Sequence, residues 1–348
     1  MIYSVRDIAI ELGGEIIGDG VKEVNGICTP EDLKVNHVVF IRDEKIYEKV
    51  REFDGPLCVV LGFKPSELET NFTYIVVEDK EIDRVFISLL YLFDEAGFYK
   101  KAPAKGISER AVVADGVRLG EGVVVGDYSV IEDGVSVGDD TIIGSGCTIG
   151  RDTKIGRECV IHPNVCIYPN TVIEDGVIIH SGCVIGADGF GYTRIGDKNV
   201  KIPQIGGVYI ERGVEIGANT TIDRATIGYT RIGENTKIDN MVQIAHNCEI
   251  GRNTIICALC GISGSVKIGN NVVISGAVGI KDHVIIEDDV YIGAKAGVME
   301  KVVKKGSRIL GIPAIPFKEE MEFIALKKRL KEMYFELKRL KKEREGKS

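Results

Sequence analysis

"VVVGDYSVIEDGVSVGDDTIIGSGCTIGRDTKIG", residues 123–156, carries an aliphatic residue at every sixth position. The same spacing holds without exception from Ile107 to Ile185, and a second series extends from Ile232 to Val298. An amphipathic α-helix would repeat its apolar residues every 3.6 positions, so the period excludes that structure. A six-residue repeat is typical of a parallel β-helix, in which each repeat forms a short strand and a turn, and the stacked turns bury a continuous core.

Three hexapeptides form one turn of 18 residues, as in the left-handed parallel β-helix that this pattern resembles. Many small residues fall at one phase of the repeat, namely Ser129, Thr141, Cys147, Thr153, Cys159, Thr171, Cys183, Cys248 and Cys260. Small side chains at one fixed phase predict a tight corner that faces the core. Five of the nine cysteines are then packing residues and not nucleophiles, since cysteine is among the most often buried residue types.

Two insertions interrupt the period. Residues 186–209, "GADGFGYTRIGDKNVKIPQIGGVY", form the longer one, and a shorter one lies around residues 225–231. Loops on a rigid repeat scaffold often carry binding function, so we expect these segments to contribute to a site. GADGFG resembles the GxGxxG dinucleotide motif, but no strand–helix–strand unit surrounds it, so the sequence does not indicate a dinucleotide site.

The ends of the chain lack the hexapeptide period. Residues 1–100 combine a helical pattern with short apolar strands, which predicts a small α/β domain, and the linker KKAPAKG at 100–106 marks its end. The solenoid is predicted at 101–312 and a C-terminal helical extension at 313–348. In that extension apolar residues are spaced as in a coiled-coil seam, at Phe323, Leu326, Leu330, Met333, Leu337 and Leu340. The tail from Lys318 holds eleven Lys and Arg against seven Glu, so it is basic and could dock an acidic partner.

Composition narrows the class of protein. The formal net charge of −8 argues against a nucleic-acid partner. No apolar run is long enough to cross a bilayer, and the first residues, MIYSVRDIAIELGG, lack the layout of a signal peptide. The nine cysteines show no paired spacing of a zinc site. The sequence therefore predicts a soluble, cytoplasmic and reduced protein without a transmembrane segment.

The turn length places His246 near two other residues. Gly264 follows His246 by one turn of 18 residues, so its backbone N–H should lie roughly 4.8 Å along the axis. His283 follows by two turns and one residue and should lie on the same side, roughly 10 Å away. A histidine base beside a fixed backbone donor is the minimum apparatus for acyl transfer, because the base activates the nucleophile and the donor stabilises the oxyanion.

His162 and His180 are also 18 residues apart and should stack on adjacent turns, about 4.8 Å apart. Two stacked imidazoles could begin a metal site, as in hexapeptide-repeat carbonic anhydrases, but no third ligand stands at the turn spacing. The spacing alone leaves three classes open: an acyltransferase, a metal-dependent hydrolyase, and a non-enzymatic solenoid scaffold.

Five motifs distinguish among these classes: HSGCVIGADGFGY (180–192), KIPQIG (201–206), VEIGANTTIDRATI (214–227), DNMVQIAHN (239–247) and GIPAIP (311–316). In order and spacing they resemble the UDP-3-O-(3-hydroxyacyl)glucosamine N-acyltransferases of lipid A biosynthesis. The resemblance covers nearly the whole solenoid. It implies a homotrimer with active sites between subunits, an N-terminal domain that binds the uracil nucleotide, and a 3-hydroxyacyl donor carried on acyl carrier protein, with no further cofactor and no metal.

The resemblance also implies roles for individual residues. His246 matches the general base and Gly264 the backbone oxyanion donor. His283 matches a second histidine that contacts the phosphates or the pantetheine arm. The polar residues before the base, Asp239, Asn240 and Gln243, match substrate-positioning positions.

The N-terminal segment departs from the family pattern. The family sandwiches uracil between aromatic residues in a segment that resembles FLxNxKY, whereas this chain has FIRDEKIY at 40–47, with Asp43 in place of asparagine and Ile46 at the aromatic position. Phe40 and Tyr47 are the residues predicted to form the sandwich. The departure leaves a related N-acyltransferase acting on a different amino-sugar nucleotide as the alternative.

Overall fold

The computed structural model describes residues 2–65, 67–94 and 106–345, with side chains described as far as residue 341. The chain divides into two compact units, Met1–Ala102 and Pro103–Ser348. The predicted linker at 100–106 lies almost entirely outside the described residues, so the boundary predicted there stays a prediction.

The first unit is a five-stranded sheet with three helices: α1 (Val5–Leu12), α2 (Glu44–Val50) and α3 (Ile82–Leu92). In spatial order the strands are Glu15–Ile17, Phe72–Val76, Leu57–Leu61, His37–Ile41 and Ile27–Cys28. Two short strands, Tyr3–Ser4 and Glu23–Val24, pair separately, and a 3-10 turn at Asp79–Glu81 precedes α3. The sheet separates two apolar cores. Alternation along His37–Ile41 sends Val38 and Phe40 to one core, and Val39 and Ile41 to the other.

Local sequence explains why α1 begins and ends where it does. Ser4 accepts the backbone N–H of Asp7, and the Asp7 carboxylate accepts the backbone N–H of Ser4, so the two residues form a capping box. Gly13 ends the helix with a φ of 68°, a left-handed conformation that glycine adopts without strain.

The second unit is a solenoid of three sheets, which we call the first, second and third sheets. The first sheet has eleven strands: Val124–Val125, Ile142–Ile143, Val160–Ile161, Ile178–Ile179, Glu215–Ile216, Lys237–Ile238, Ile255–Ile256, Val273–Ile274, Tyr291–Ile292, Arg308–Leu310 and Ile315–Pro316. The second has ten: Val112–Val113, Val130–Ile131, Thr148–Ile149, Cys166–Ile167, Val184–Asp188, Thr221–Arg224, Gln243–Ile244, Gly261–Ile262, Gly279–Ile280 and Gly297–Val298. The third has ten: Arg118–Leu119, Ser136–Val137, Lys154–Ile155, Thr171–Ile173, Gly207–Ile210, Tyr229–Ile232, Glu249–Ile250, Lys267–Ile268, Ile285–Ile286 and Val302–Val303.

Strand pairing follows the predicted turn of 18 residues. Ile131 pairs with Ile149, Ile149 with Ile167, and Ile167 with Ile185, all in parallel register. These four side chains are at most 1% exposed, and burial of one such aliphatic side chain contributes roughly 1.5–3 kcal/mol. The structure therefore confirms a mainly β chain built as a hexapeptide solenoid, with a small N-terminal unit and a C-terminal helix.

The small residues at the fixed phase are all buried, as predicted. The structure adds a second reason for their identity. The Ser129 and Thr141 hydroxyls donate to the carbonyls of Gly144 and Gly156, at 2.7 and 2.8 Å, and the Cys147 thiol contacts a carbonyl in the same way. A small residue with a donor group therefore both fits the corner and satisfies a buried carbonyl.

All nine cysteines are free thiols. Burial raises the pKa of Cys248 to about 12 and that of Cys183 to about 11, so both stay protonated at neutral pH. A protonated thiol is a poor nucleophile, which agrees with the packing role predicted for these residues.

Each of the two insertions lengthens one turn of the solenoid. Ile173 pairs with Ile210, 37 residues later, and Ile210 pairs with Ile232, 22 residues later. The first insertion folds into an antiparallel hairpin, Tyr192–Ile195 with Lys198–Lys201. The 18-residue register resumes from Ile232 to Ile286, and the last turn is one residue shorter, with Ile286 paired to Val303.

The chain ends in α4, Phe317–Glu345. The six residues of the predicted coiled-coil seam are 41–65% exposed, so the seam is open in the single chain. Among the residues that the structure describes, no helix is both long enough and apolar enough to span a bilayer.

Candidate active site

An open cavity of about 1090 Å³, which we call the His246 cavity, lies along the C-terminal half of the second sheet. Its floor is a column of outward-facing residues from four successive strands: Gln243, Gly261, Gly279 and Gly297. The following corner contributes His246, Gly264 and His283, and the first insertion contributes Asp188, Gly189 and Phe190. Because the glycines lack side chains, the floor is an open groove that could take an extended apolar chain.

The His246 ring is held between two glycines. A Cβ atom on Gly264 would lie 2.7 Å from Cε1 and 2.8 Å from Nε2 of the ring, and one on Gly189 would lie 2.8 Å from Cδ2. Real Cβ atoms do not approach other atoms so closely. Only glycine therefore lets both backbones approach the imidazole. Gly189 of the GADGFG segment therefore allows the first insertion to pack against the His246 ring.

Asn247 fixes the tautomer of His246. Its Oδ1 lies 3.2 Å from His246 Nδ1 and also accepts the backbone N–H of Thr226, at 3.0 Å. Its Nδ2 donates to the carbonyl of Ile227, at 3.2 Å. Since the two backbone partners fix the orientation of the amide, Oδ1 can only accept, and His246 Nδ1 must carry the proton. Nε2 then keeps its lone pair and can act as a base.

The Gly264 peptide offers a donor beside that base. The carbonyl in the same peptide plane as the Gly264 N–H is that of Ser263, and it accepts the Cys248 thiol, at 3.1 Å, which anchors the plane. The Gly264 N–H itself has no acceptor among the residues described. A fixed, unused N–H next to a base is suited to stabilise a developing oxyanion.

Asp223 is a carboxylate that the sequence arguments did not single out. It lines the His246 cavity and is only 9% exposed. Gln243 Nε2 donates to its Oδ2, at 3.0 Å, and Gln243 Oε1 in turn accepts the Thr221 hydroxyl. Burial raises the pKa of Asp223, while the Gln243 hydrogen bond and the nearby His246 oppose that rise.

The base of the first insertion is fixed by Asp188, Lys201 and Arg224. Lys201 Nζ donates to the Asp188 carboxylate. Arg224 donates through Nε to the carbonyl of Gly186, at 2.6 Å, and through Nη2 to that of Pro169, at 3.0 Å. These contacts tie the insertion to the solenoid, so that Gly189 is held against His246.

His283 lies at the rim of the cavity, with 75% of its side chain exposed. Its φ of 59° is in the left-handed region, which costs a non-glycine residue roughly 1 kcal/mol. The structure thus brings together four residues that the sequence singled out: His246, Gly264, Gln243 and His283. It adds Gly189, Asn247 and Asp223. Asn247 directly follows His246 in the IAHN motif, and this position in the sequence could have identified it as a site residue. No spacing rule could have found the other two, because they belong to or follow an insertion.

Asp239 and Asn240 do not join this group. They line a smaller cavity of about 510 Å³ on the first sheet, which we call the Asp239 cavity, together with His180, Glu215 and Lys237. Asp239 accepts the backbone N–H of Ala258, at 3.0 Å, and Asn240 accepts that of Ala218, at 2.7 Å. Within one chain the two residues cap turns and lie apart from His246.

The predicted sandwich of Phe40 and Tyr47 is wrong for this structure. Phe40 is partly buried and packs against one core, with its ring centroid 4.7 Å from that of Phe86. Tyr47 lies in the other core, is 1% exposed, and bonds through its hydroxyl to Tyr74. The cause is alternation: Phe40 points to one face of the sheet, and α2 packs Tyr47 against the other.

His162 and His180 stack as predicted, with ring centroids 4.7 Å apart and an interplanar angle of 7°. Burial and the neighbouring His180 lower the pKa of His162. His180 Nε2 lies 3.2 Å from Glu215. Across the described parts of the chain, no three His, Cys, Asp or Glu side chains are grouped so that they could hold a metal ion.

Comparison with known proteins supports the fold and the reaction class. The family described as bacterial transferase hexapeptide (six repeats) matches residues 107–151, 152–187 and 229–264. The UDP-3-O-acylglucosamine N-acyltransferase of Geobacter sp. (strain M21) is 45% identical over 252 residues, which are 72% of this chain and 70% of the relative. The enzyme of the same name from Syntrophus aciditrophicus (strain SB) is 39% identical over 254 residues, 72% and 67% of the two chains. The chain belongs to the UDP-3-O-acylglucosamine N-acyltransferase family. It is therefore an acyltransferase of the hexapeptide class.

Solved structures show the same solenoid in other acyltransferases. The UDP-N-acetylglucosamine acyltransferase of Arabidopsis has a TM-score of 0.53 at 25% identity. The match covers 59% of the present chain and 71% of the Arabidopsis chain. The UDP-N-acetylglucosamine O-acyltransferase of Moraxella catarrhalis RH4 has a TM-score of 0.50 at 24% identity, covering 62% and 76% of the two chains, and supports the fold alone.

Proposed function

We propose that the protein transfers a 3-hydroxyacyl chain from the thioester of acyl carrier protein to the 2-amino group of UDP-3-O-acylglucosamine. The family supports the reaction class and the acceptor. The observation that carries the proposal is the His246 ring, held between Gly189 and Gly264 with Asn247 Oδ1 at its Nδ1 and an unused backbone N–H beside its Nε2.

The proposed reaction needs only these groups and the two substrates. The 2-amino nitrogen attacks the thioester carbon, and His246 Nε2 removes a proton from that nitrogen as the C–N bond forms. The Gly264 N–H donates to the oxyanion of the tetrahedral intermediate. When the intermediate collapses, the C–S bond breaks, and the sulfur of the carrier receives the proton from His246. The products are an amide and the free thiol of the carrier.

We also propose a homotrimer, with active sites between subunits. Asp239 and Asn240 are proposed to position substrate, yet they line the Asp239 cavity on the first sheet, away from His246. Packing a second copy on the solenoid could bring its Asp239 cavity to face the His246 cavity. The exposed seam of α4 gives a second means of self-association. Sedimentation equilibrium should give three times the chain mass of 38.0 kDa, and a single-chain mass would contradict the assembly.

Docking of acyl carrier protein is proposed at the basic α4. Attraction between this helix and an acidic carrier would speed the encounter and weaken with salt. When the salt concentration is raised from 50 to 500 mM, KM for the carrier-bound donor should rise by roughly severalfold, because salt screens surface charge. KM for the same acyl chain on free pantetheine should stay constant. Equal salt dependence for the two donors would remove α4 as the docking surface. We also propose a cytoplasmic location for the enzyme.

The test of the function is release of carrier thiol from 3-hydroxyacyl carrier protein, with and without UDP-3-O-acylglucosamine. We expect release only with the nucleotide sugar, and no inhibition by a metal chelator. Other amino-sugar nucleotides in parallel test the alternative acceptor. The N-terminal unit is proposed to bind the uracil nucleotide with Phe40, so Phe40→Ala should raise KM for the nucleotide sugar without changing KM for the donor. No thiol release with any acceptor would refute the proposed function.

A further inference from the structure

Asp223 is a buried carboxylate with unused hydrogen-bonding capacity at the edge of the His246 cavity. It is nine-tenths buried, and Gln243 Nε2 is the donor to its Oδ2. Its Oδ1 accepts no hydrogen bond from the part of the chain that the structure describes. Gln243 is itself held by Thr221, so the carboxylate has a fixed orientation. An oriented acceptor with one free oxygen at a cavity wall is suited to bind a donor group of a ligand.

No cation of the protein is paired with this carboxylate among the described residues. Lys201 bonds to Asp188, and the Arg224 guanidinium donates to the carbonyls of Gly186 and Pro169. A buried carboxylate without a partner is costly, and burial raises the pKa of Asp223 accordingly. A ligand that carries N–H donors, and positive charge when it reacts, would supply the missing partner.

The chemistry of the proposed reaction provides such a group. A primary amine has two N–H bonds, so one hydrogen can go to His246 while the other is donated to a second acceptor. A hydroxyl has one O–H bond, and the base must take that hydrogen. The attacking nitrogen also becomes positively charged as the C–N bond forms, whereas Asp223 gains no proton in the overall step.

We propose that Asp223 binds the acceptor amino group beside His246 and so selects an amine over a hydroxyl as the acyl acceptor. This inference rests on the proposed function and adds to it the residue that determines whether the acyl chain is transferred to nitrogen or to oxygen. Gln243 is then a positioning residue, because it acts on the acceptor through Asp223.

The test compares UDP-3-O-acylglucosamine with the same molecule bearing a 2-hydroxyl in place of the 2-amino group. In Asp223→Asn the Gln243 amide would still donate to Oδ1, which turns Nδ2, a donor, toward the cavity. We expect kcat/KM for the amino acceptor to fall about 100-fold, as when a buried polar group loses its partner, with no fall for the hydroxyl analogue. The ratio of the two constants should therefore collapse.

Asp188→Asn is the matched control, because Asp188 is a carboxylate of the same cavity that already has a partner in Lys201. This variant should keep the amine-to-hydroxyl ratio of the wild type, whatever its effect on overall rate. Asp223→Asn should melt at the wild-type temperature or above, since it removes an unpaired buried charge. An unchanged ratio in a folded Asp223→Asn would overturn the assignment.

A second measurement uses the wild-type protein and needs no Asp223 variant. Binding of the amino acceptor and of its 2-hydroxyl analogue is measured without donor, so that no turnover occurs. We expect the amino acceptor to bind at least about tenfold more tightly, and equal affinities would overturn the assignment. Failure of the wild type to acylate the amino acceptor would refute the proposed function and this inference together. Acylation with unaltered selectivity in Asp223→Asn would refute the inference alone.

Discussion

Replacing His246 with alanine is expected to lower kcat/KM for acyl transfer by about 1,000-fold, within the range that general-base catalysis supplies. The reason is geometric. Asn247 holds the proton on Nδ1, and Gly264 and Gly189 hold the ring, so Nε2 is the fixed base at the cavity wall. Alanine removes the base but leaves the Gly264 N–H in place. Residual activity should then rise with pH, because only the deprotonated amine can attack without help. Thiol release from the carrier measures both effects.

His283→Ala is the matched control for that experiment. His283 lines the same cavity but is 75% exposed and has no glycine pair around its ring. Its loss should act mainly on KM, by a smaller factor. His180→Ala, which changes a residue of the Asp239 cavity, serves as a second comparison. A His246→Ala protein that is folded and still turns over within tenfold of the wild type would show that another group is the base.

The hexapeptide period predicted the solenoid because each turn repeats one physical constraint, an aliphatic side chain that must reach the core. The same arithmetic placed Gly264 next to His246, since no insertion separates them. Asp223 and Gly189 were beyond such arithmetic. Gly189 lies within the first insertion, and the second insertion lies between Asp223 and His246. The position of an inserted segment depends on contacts such as that of Arg224 with Gly186.

Sequence motifs grouped Asp239 and Asn240 with His246 because they are neighbours in one run of nine residues. In a solenoid the chain passes from one sheet to the next about every six residues. Asp239 and His246 therefore line different cavities, although they are close in sequence. The position of Tyr47 also depends on the fold around it. The segment FIRDEKIY crosses from a strand to a helix, and the strand sends Phe40 to the face of the sheet opposite to the one on which α2 packs. A motif gives residue types, whereas the face on which each lies depends on the fold around it.

Gly264→Ala should lower kcat by about 100-fold or more while leaving the protein folded. The added Cβ would lie 2.7–2.8 Å from two atoms of the His246 ring, so the ring must move by several tenths of an ångström. Restoring an ordinary contact of 3.4 Å moves the ring by about 0.7 Å, which approaches the misplacement of about 1 Å that can cost about 100-fold. The ring is a side chain at a cavity wall and can yield, so the stability cost should stay near 1 kcal/mol, at the low end for overpacking. Thiol-release kinetics and thermal unfolding measure the two effects.

Gly276→Ala separates this clash from the general effect of filling a turn. Gly276 follows a serine at the same phase of the repeat, twelve residues after Gly264, and does not line the His246 cavity. A Cβ there would lie 3.4 Å from the carbonyl oxygen of Ala258, an ordinary contact. We therefore expect Gly276→Ala to keep the wild-type kcat. If both alanine variants lost activity equally, the loss would come from the turn, and if neither did, the His246 ring would not depend on its glycine neighbour. Only a loss confined to Gly264→Ala agrees with a base that works because a bare peptide lies against it.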